Sequence, residues 1–585
     1  MMIMKAIINN TIRKAVFVLL FVSTIATSCS DFLTKPPLTD FTDNNYWTSE
    51  ANVRAFSWNF YNMFYGYGRS TYGEFYWQTL GNNSYEMKFS EDLLHYTFLG
   101  FPSGVYTSNS MWESYYSNIR RANLMITRVS EMESLTEDAR NHWLGVGKFF
   151  RAMNYFSLLS SWGGVPMPLS YTSPDASEEI YLPRSDRKTV ADQIIKDLNE
   201  AATSMKASDG ADAINKYSAY ALLARVALFE GTFRKYHSLG DYNTYLQQAV
   251  TAAEALISSG KFSLADNYKS KWISDDLAGN PEMILYKRYE PNIMCHYLQA
   301  HTHCSAPEIC GPTKYTVESF VCSDGLPISQ SPLYMGDKGI ANVKANRDIR
   351  LVDMIFDEIG YYGQPIYDIL VSSTGYVSSF YDNPAVDKKH PDVTTENRNH
   401  TDAPIYTISE IYLILAEAKA ELGTLTQTDL DNTINKLRER AGVAKLELSG
   451  TDGAMASGVE INDPKRTSSL ESATKGGIVS PILWEIRRER RAELLGWVYL
   501  RHLDIDRWAK GEYMDTELNP DVMLGAWMEK APAGYEKNLN ADNYINTHSQ
   551  YSRKFEDKYY LDPIPQDEII LYKDKGIDLT QNAGW

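Results

Sequence analysis

The side chains best suited to chemistry in this chain are aromatic: 40 Tyr, 12 Trp and 21 Phe occur among 585 residues. Two stretches set such rings beside amide, guanidinium and imidazole groups. The first runs from Tyr65 to Tyr85 and contains Tyr67, Arg69, Tyr72, Tyr76, Trp77, Asn82, Asn83 and Tyr85. The second runs from Tyr286 to Tyr297, with Tyr289, Asn292 and His296, and extends toward Tyr315 and Tyr334. A sugar ring has one apolar C–H face and polar edges, so a protein holds it with a flat aromatic platform and a few polar partners. Both stretches supply that combination, and Trp77 is the strongest single candidate.

Signs of catalysis are missing from the sequence. It contains no G-x-S-x-G, no H-E-x-x-H, no phosphate loop and no G-x-G-x-x-G opening a helix. Its 74 acidic residues leave open a pair of carboxylates at glycosidase spacing, so a surface glycosidase or deacylase stands as the enzymatic alternative. The reading adopted is a non-enzymatic binding protein without a cofactor. Cys295, Cys304, Cys310 and Cys322 fall close together near His296, His301 and His303, but without C-x-x-C spacing. That favours disulfides, for which four cysteines allow three pairings, or buried thiols over a metal site. Arg487, Arg488, Arg490 and Arg491 resemble a nucleic-acid patch until their neighbours are counted. Glu485 with Arg488, and Arg490 with Glu493, lie three apart on a helix, and Glu489 adds acid, so a salt-bridged helix face is expected. The net charge of -17 also argues against nucleic acid as a partner.

The elements that position these residues begin with a leader. Lys5, Arg13 and Lys14 precede the apolar run Ala15 to Ile25, which is shorter than the roughly 20 residues a bilayer span needs. Ala26-Thr27-Ser28-Cys29 then reads as a lipoprotein cleavage site, with residues 1–28 removed and Cys29 acylated, palmitate being one expected chain. Removing that leader makes the mature chain more acidic still. Beyond it, apolar residues at steps of three and four predict helices over 146–159, 219–229 (Ala219, Leu222, Leu223, Val226, Phe229) and 408–422. Further helices are expected near 109–131, 187–206, 241–259, 428–441 and 480–497. Several come as consecutive pairs, as in tetratricopeptide-like hairpins, although no clean 34-residue repeat is visible. From 261 to 403 the texture turns to Gly, Pro, Asp, Asn and Tyr, predicting loops and short strands, where binding residues tend to lie.

Several separated segments resemble the SusD/RagB family. They include Cys29-Ser30-Asp31-Phe32-Leu33 with Pro36-Pro37, then Lys148-Phe149-Phe150-Arg151-Ala152-Met153-Asn154-Tyr155-Phe156 leading into Trp162-Gly163-Gly164-Val165-Pro166-Met167-Pro168-Leu169. Ile194 to Leu198, Ala221 to Leu228, Pro404-Ile405-Tyr406, Glu410 to Ala418, Ile486 to Leu494 and Asp506-Arg507-Trp508 follow in order. Leu561-Asp562-Pro563-Ile564-Pro565 and Gln581-Asn582-Ala583-Gly584-Trp585 close the match. Gly496-Trp497-Val498-Tyr499-Leu500-Arg501 departs from the family's Phe-Glu-Gly-x-Arg wording, and Asp31 alone gives acidity beside Cys29. The resemblance implies a mainly α, SusD-like fold over 29–585. Its scaffold of four tetratricopeptide-like helix pairs would lie mainly at 109–260 and 404–510, with a loop-rich insert at 261–403 and a C-terminal segment at 511–585. It implies a lipid-anchored protein of the outer-membrane surface that binds oligosaccharide and passes it to a SusC-like TonB-dependent transporter. A peptide or another non-sugar nutrient is the alternative cargo. By the same resemblance the ligand face is built from loops in the two aromatic-rich stretches.

Overall fold

The computed structural model describes residues 46–64, 66–67, 90–95, 97–172, 181–210, 212–291, 293–296, 310–361, 372–379 and 400–585. Helices α1 (Glu50–Ser57), α2 (Ser110–Glu131), α3 (Glu137–Trp162), α4 (Arg187–Ser204), α5 (Lys216–Tyr236) and α6 (Tyr242–Ser258) fill the first half. Later come α7 (Ile408–Glu421), α8 (Pro481–Leu494), α9 (Val498–Arg507) and α10 (Gln566–Asp574). Most begin at a side-chain cap that satisfies first-turn N–H groups: Asn109, Thr136, Asp186, Thr407 and Ser480 accept such bonds, and Asn215 forms a reciprocal box with Ser218. The helix expected over 428–441 is broken at Thr433, where φ is -130° and ψ is -90°.

Successive helices stack as neighbours: α2 on α3, α3 on α4, α4 on α5, α5 on α6, α6 on α7 and α7 on α8. Each buries the apolar stripe of the last, which is how helix-pair scaffolds build one long core. Helix α5 lies at the centre. Ala221, Leu222, Leu223, Ala224, Val226, Ala227, Leu228 and Phe229 are all buried, so apolar surface surrounds it rather than forming a stripe. Gly231 permits close packing there, since an added Cβ would lie 2.9 Å from the Leu246 side chain and 3.0 Å from its backbone nitrogen on α6.

The segments that carry the resemblance meet each other in space. Arg151 on α3 donates to Asp197 on α4 through Nε (2.8 Å) and Nη2 (2.7 Å), and through Nη1 to Asn123 on α2 (3.0 Å) and the Leu169 carbonyl (2.9 Å). Arg225 on α5 grips Glu410 on α7 with two bonds of 2.7 Å. Near the chain end, the Pro563 carbonyl accepts from Trp162 Nε1 (3.0 Å), while Asn582 donates to the Trp162 carbonyl (3.2 Å). Paired, fork-shaped bonds of this kind fix orientation as well as distance.

Helix α8 differs from its sequence reading. Arg488 does bond Glu485 (3.1 and 3.2 Å), but Arg490 turns to Asp504 (2.8 and 2.9 Å), and Glu493 pairs with Lys271 (2.7 Å), Arg350 (3.1 Å) and Arg440 (2.5 Å). The helix is an interior element with Glu485, Arg487, Glu489, Arg490, Arg491 and Glu493 all buried, so apart from the Glu485–Arg488 pair its charges find their partners on other elements.

A second, smaller core lies under the irregular part. Tyr67, Trp272, Tyr289, Phe320, Leu351, Tyr361, Ala526 and Ile545 belong to it. Short antiparallel pairs frame this region: β1 (Met283–Lys287) with β2 (Ala403–Thr407), and Leu93–Leu94 with Gly311–Pro312. Among the described residues no helix is long and apolar enough to cross a membrane.

Candidate functional site

The two aromatic-rich stretches are rooted together. The Tyr67 N–H donates to the Tyr289 hydroxyl at 2.9 Å, and both rings stand edge-on to His296, with centroids at 5.2 and 4.8 Å. Lys287, at the end of β1, donates to the Phe64 carbonyl at 2.9 Å. Asp402, just before β2, accepts the backbone N–H groups of Tyr289 (2.8 Å) and Leu277 (3.0 Å). The strand pair therefore holds the second stretch, and the second stretch holds the first. Downstream the two segments meet again, since Leu93–Leu94, which follows residues 68–89, pairs with Gly311–Pro312, which follows residues 297–309.

Burial sets the charge state of this root. It lowers the His296 pKa to about 3, so the ring is neutral, and Nε2 donates to the Thr401 carbonyl at 3.0 Å. Burial also pushes Asp402 up to about 6, against the two N–H bonds that favour its ionised form.

Of the residues picked from sequence, Tyr289 and Tyr315 are described, and both are interior, at 2% and 7% exposure. Tyr289 works as a brace, and Tyr315 has the Arg491 guanidinium 4.9 Å and the Lys465 ammonium 5.1 Å from its ring centroid. Both rings are enclosed by the fold, which residue type alone does not reveal, and a part for either in holding ligand belongs to the proposal below. Arg69, Tyr72, Tyr76, Trp77, Asn82, Asn83, Tyr85, Asn292 and Tyr297, like Cys29, lie outside the described residues. Cys295 and Cys322 are buried thiols, the former donating to the Glu290 carbonyl (3.5 Å) and the latter pushed up in pKa by burial. Among the described residues no three metal-ligating side chains converge.

The structure adds residues that the sequence reading passed over. Trp527 and Tyr544 bridge two antiparallel segments. The Lys338 ammonium lies 5.5 Å from the Trp527 ring centroid, and the Tyr544 hydroxyl donates to Asp337. Asn538 donates to the Tyr361 hydroxyl at 2.9 Å, and Tyr535 stands edge-on to Tyr361. Trp527 is half-buried, and its flanking residues Ala526 and Met528 pack on the same small core that seats Tyr67 and Tyr289. The signal was present: Trp527, Tyr535, Asn538, Asn540, Asn543 and Tyr544 repeat the ring-plus-amide composition of the other two stretches.

A stacked-helix frame, carrying a smaller core that roots both aromatic-rich stretches at Tyr67 and Tyr289, defines a helical scaffold protein. The SusD family model matches residues 292–585, and a second model, described as starch-binding associating with outer membrane, matches residues 18–228. The chain belongs to the SusD family. It is similar to SusD-like protein P38 of Formosa agariphila, 25% identical over 288 residues, or 47% of this chain and 53% of that one. The match thus spans about half the length of that relative. SusD-like protein P25 of the same organism is 22% identical over 472 residues, 73% of this chain and 81% of the relative. Among solved structures, a SusD-like carbohydrate binding protein from Bacteroides fragilis superposes with a TM-score of 0.66 at 19% identity, covering 91% of this chain and 99% of its own. A laminarin binding SusD-like protein superposes with a TM-score of 0.53 at 18% identity, covering 92% and 100%. These structural likenesses establish a mainly α, SusD-like fold.

Proposed function

We propose that residues 29–585 act as one glycan-binding unit at the outer-membrane surface, anchored through acylated Cys29. The unit captures an oligosaccharide and delivers it to a SusC-like TonB-dependent transporter, over which it acts as a lid. The observation that carries this reading is the shared rooting of the two aromatic-rich stretches, which start at Tyr67, Tyr289 and His296 and return at one strand pair. Tethering both ends of each stretch to one frame limits how far the two can separate, which favours their acting on one ligand. Family membership and the carbohydrate and laminarin named for two structural neighbours support the choice of sugar. Release inward requires the lid to hinge on its transporter.

Calorimetry of the purified protein against a panel of oligosaccharides and peptides tests the reading. Saturable binding of at least one glycan is expected, without product formation, and Trp77→Ala should weaken it by about 1 kcal/mol or more. Binding of peptides alone, or turnover of a glycan, would overturn it.

A further inference from the structure

The segment Trp58–Met63 forms a 3₁₀ helix that continues α1 toward the aromatic root. With three residues per turn, side chains three apart lie in line, so the segment carries three rows. One row, Phe60 and Met63, meets the main core: Phe60 is 1% exposed and stacks on Phe150 at 4.8 Å, and Met63 accepts from the Asn154 amide at 3.3 Å. That row fixes where the other two face. The second is a pair of rings, Trp58 and Tyr61, with centroids 4.5 Å apart. The third is a pair of exposed amides, Asn59 and Asn62.

Trp58 is 43% exposed, and no other tryptophan among the described residues is exposed. A single open apolar residue is ordinary, but a ring pair aligned with an amide pair is not. Tyr61 is half-buried and held firmly: its hydroxyl accepts the Ile214 N–H at 2.9 Å, and its ring stands edge-on to Phe150 at 5.5 Å and Phe64 at 5.8 Å. It therefore gives Trp58 a rigid seat. Asn62 makes no side-chain hydrogen bond among the described residues, and Asn59 commits its amide nitrogen to the Phe56 carbonyl (3.1 Å) while its oxygen stays open. Charge narrows the class of ligand. Arg54, one turn earlier on α1, commits both Nη groups to Asp209 (2.6 and 2.8 Å). Burial raises the Tyr61 hydroxyl pKa, and Asp209 and Asp212 add to the rise, so the field at the rings is acidic. Such a field repels an acidic sugar and is indifferent to a neutral one.

We propose that Trp58, Tyr61, Asn59 and Asn62 form a surface subsite for a neutral glycan chain. Trp58 supplies the platform for the C–H face of a sugar ring, and the amides take hydroxyl groups along its edge. The subsite belongs to the same frame as the aromatic-rich stretches, since Phe64, beside Tyr61, offers the carbonyl that holds Lys287 at their root. It presupposes the glycan-binding role proposed above and adds to it a location and a sugar class.

Calorimetry of the purified protein with laminarihexaose, maltohexaose, mannohexaose and hexagalacturonate tests it, together with hydroxyl-radical footprinting read by mass spectrometry at Trp58. At least one neutral hexamer is expected to bind saturably and to slow oxidation of Trp58. Trp58→Ala should weaken that hexamer about fivefold, and Asn62→Ala about threefold. Tyr551→Ala, which removes an exposed ring stacked on Phe98, is the control and should leave affinity unchanged. Absence of binding by every hexamer would overturn both the subsite and the glycan-binding reading. A neutral hexamer that binds while Trp58 is oxidised at its free rate, or that binds Trp58→Ala as tightly as the parent or loses as much in Tyr551→Ala, would overturn the subsite and leave that reading standing. Binding of hexagalacturonate alone would do the same.

Discussion

Glu417 offers the sharpest test of how the scaffold is held. It lies on α7 at 0% exposure, takes Arg507 Nη1 and Nη2 at 2.7 Å each, and accepts Trp508 Nε1 at 2.6 Å. Arg507 also donates to Thr232 on α5 (3.0 Å) and Asp504 on α9 (2.9 Å), so one carboxylate joins three helices. Burial by itself would raise the Glu417 pKa; the charge and hydrogen bonds of Arg507, with help from Arg490 and Arg487, overcome it and hold the group at about 2, against an ordinary 4.5. A folded-state value below the unfolded one means stability that is complete above 4.5 and disappears as the pH falls through 2. The shift corresponds to about 3 kcal/mol near neutral pH and to about 1 kcal/mol at about pH 3. Glu417→Gln keeps the shape and removes the charge, leaving Arg507 buried with Asp504 alone. Breaking a buried pair in this way costs about 3–5 kcal/mol. Urea unfolding of both proteins at several pH values, followed by two spectroscopic probes that must coincide, measures it. The gap should narrow by about 2 kcal/mol from about pH 7 to about pH 3. A gap that stays constant, or one below about 1 kcal/mol at neutral pH, would refute the account of Glu417 as an ionised strut.

Three further outcomes follow from other sites. His296 is held neutral, so acid favours the unfolded form: stability at the aromatic root is complete above 6.5 and is lost as the pH falls toward about 3. Amide exchange at Tyr67 and Tyr289, corrected for its intrinsic pH dependence, should quicken below 6.5 in the parent and lose this component in His296→Gln; identical acid sensitivity would dismiss the imidazole. Gly164→Ala would place a Cβ 2.3 Å from the Ser185 carbonyl oxygen and 3.0 Å from the Arg187 nitrogen, both backbone atoms, so a loss of about 1–3 kcal/mol is expected in thermal unfolding, and an unchanged melting temperature would contradict it. Trp527→Ala should weaken glycan binding by about 1 kcal/mol without altering the melting temperature, and equal affinity would remove this ring from the ligand face.

The helices were legible in proportion to how local their causes are. Caps such as Asn109 and Thr407 are set by residues a few positions apart, and α2, α4, α6 and α7 begin and end near where the sequence puts them, whereas α5 runs on to Tyr236, past the 219–229 that its spacing predicts. Glu485 with Arg488 was legible for the same reason. What escaped the sequence depends on distant partners. Glu230 on α5 is buried because Arg187, 43 positions earlier, reaches it at 2.8 Å, and Arg490 ignores Glu493 because Asp504 is brought beside it. The same distinction governs the site. Ring-plus-amide composition marks three stretches, but whether a given tyrosine is platform or brace is decided by what packs on it: Tyr289 is fixed beneath Tyr67, 222 positions away, whereas Trp527 keeps part of its surface open beside Lys338. Composition can therefore name the stretches, and only tertiary packing decides which ring within them stays open.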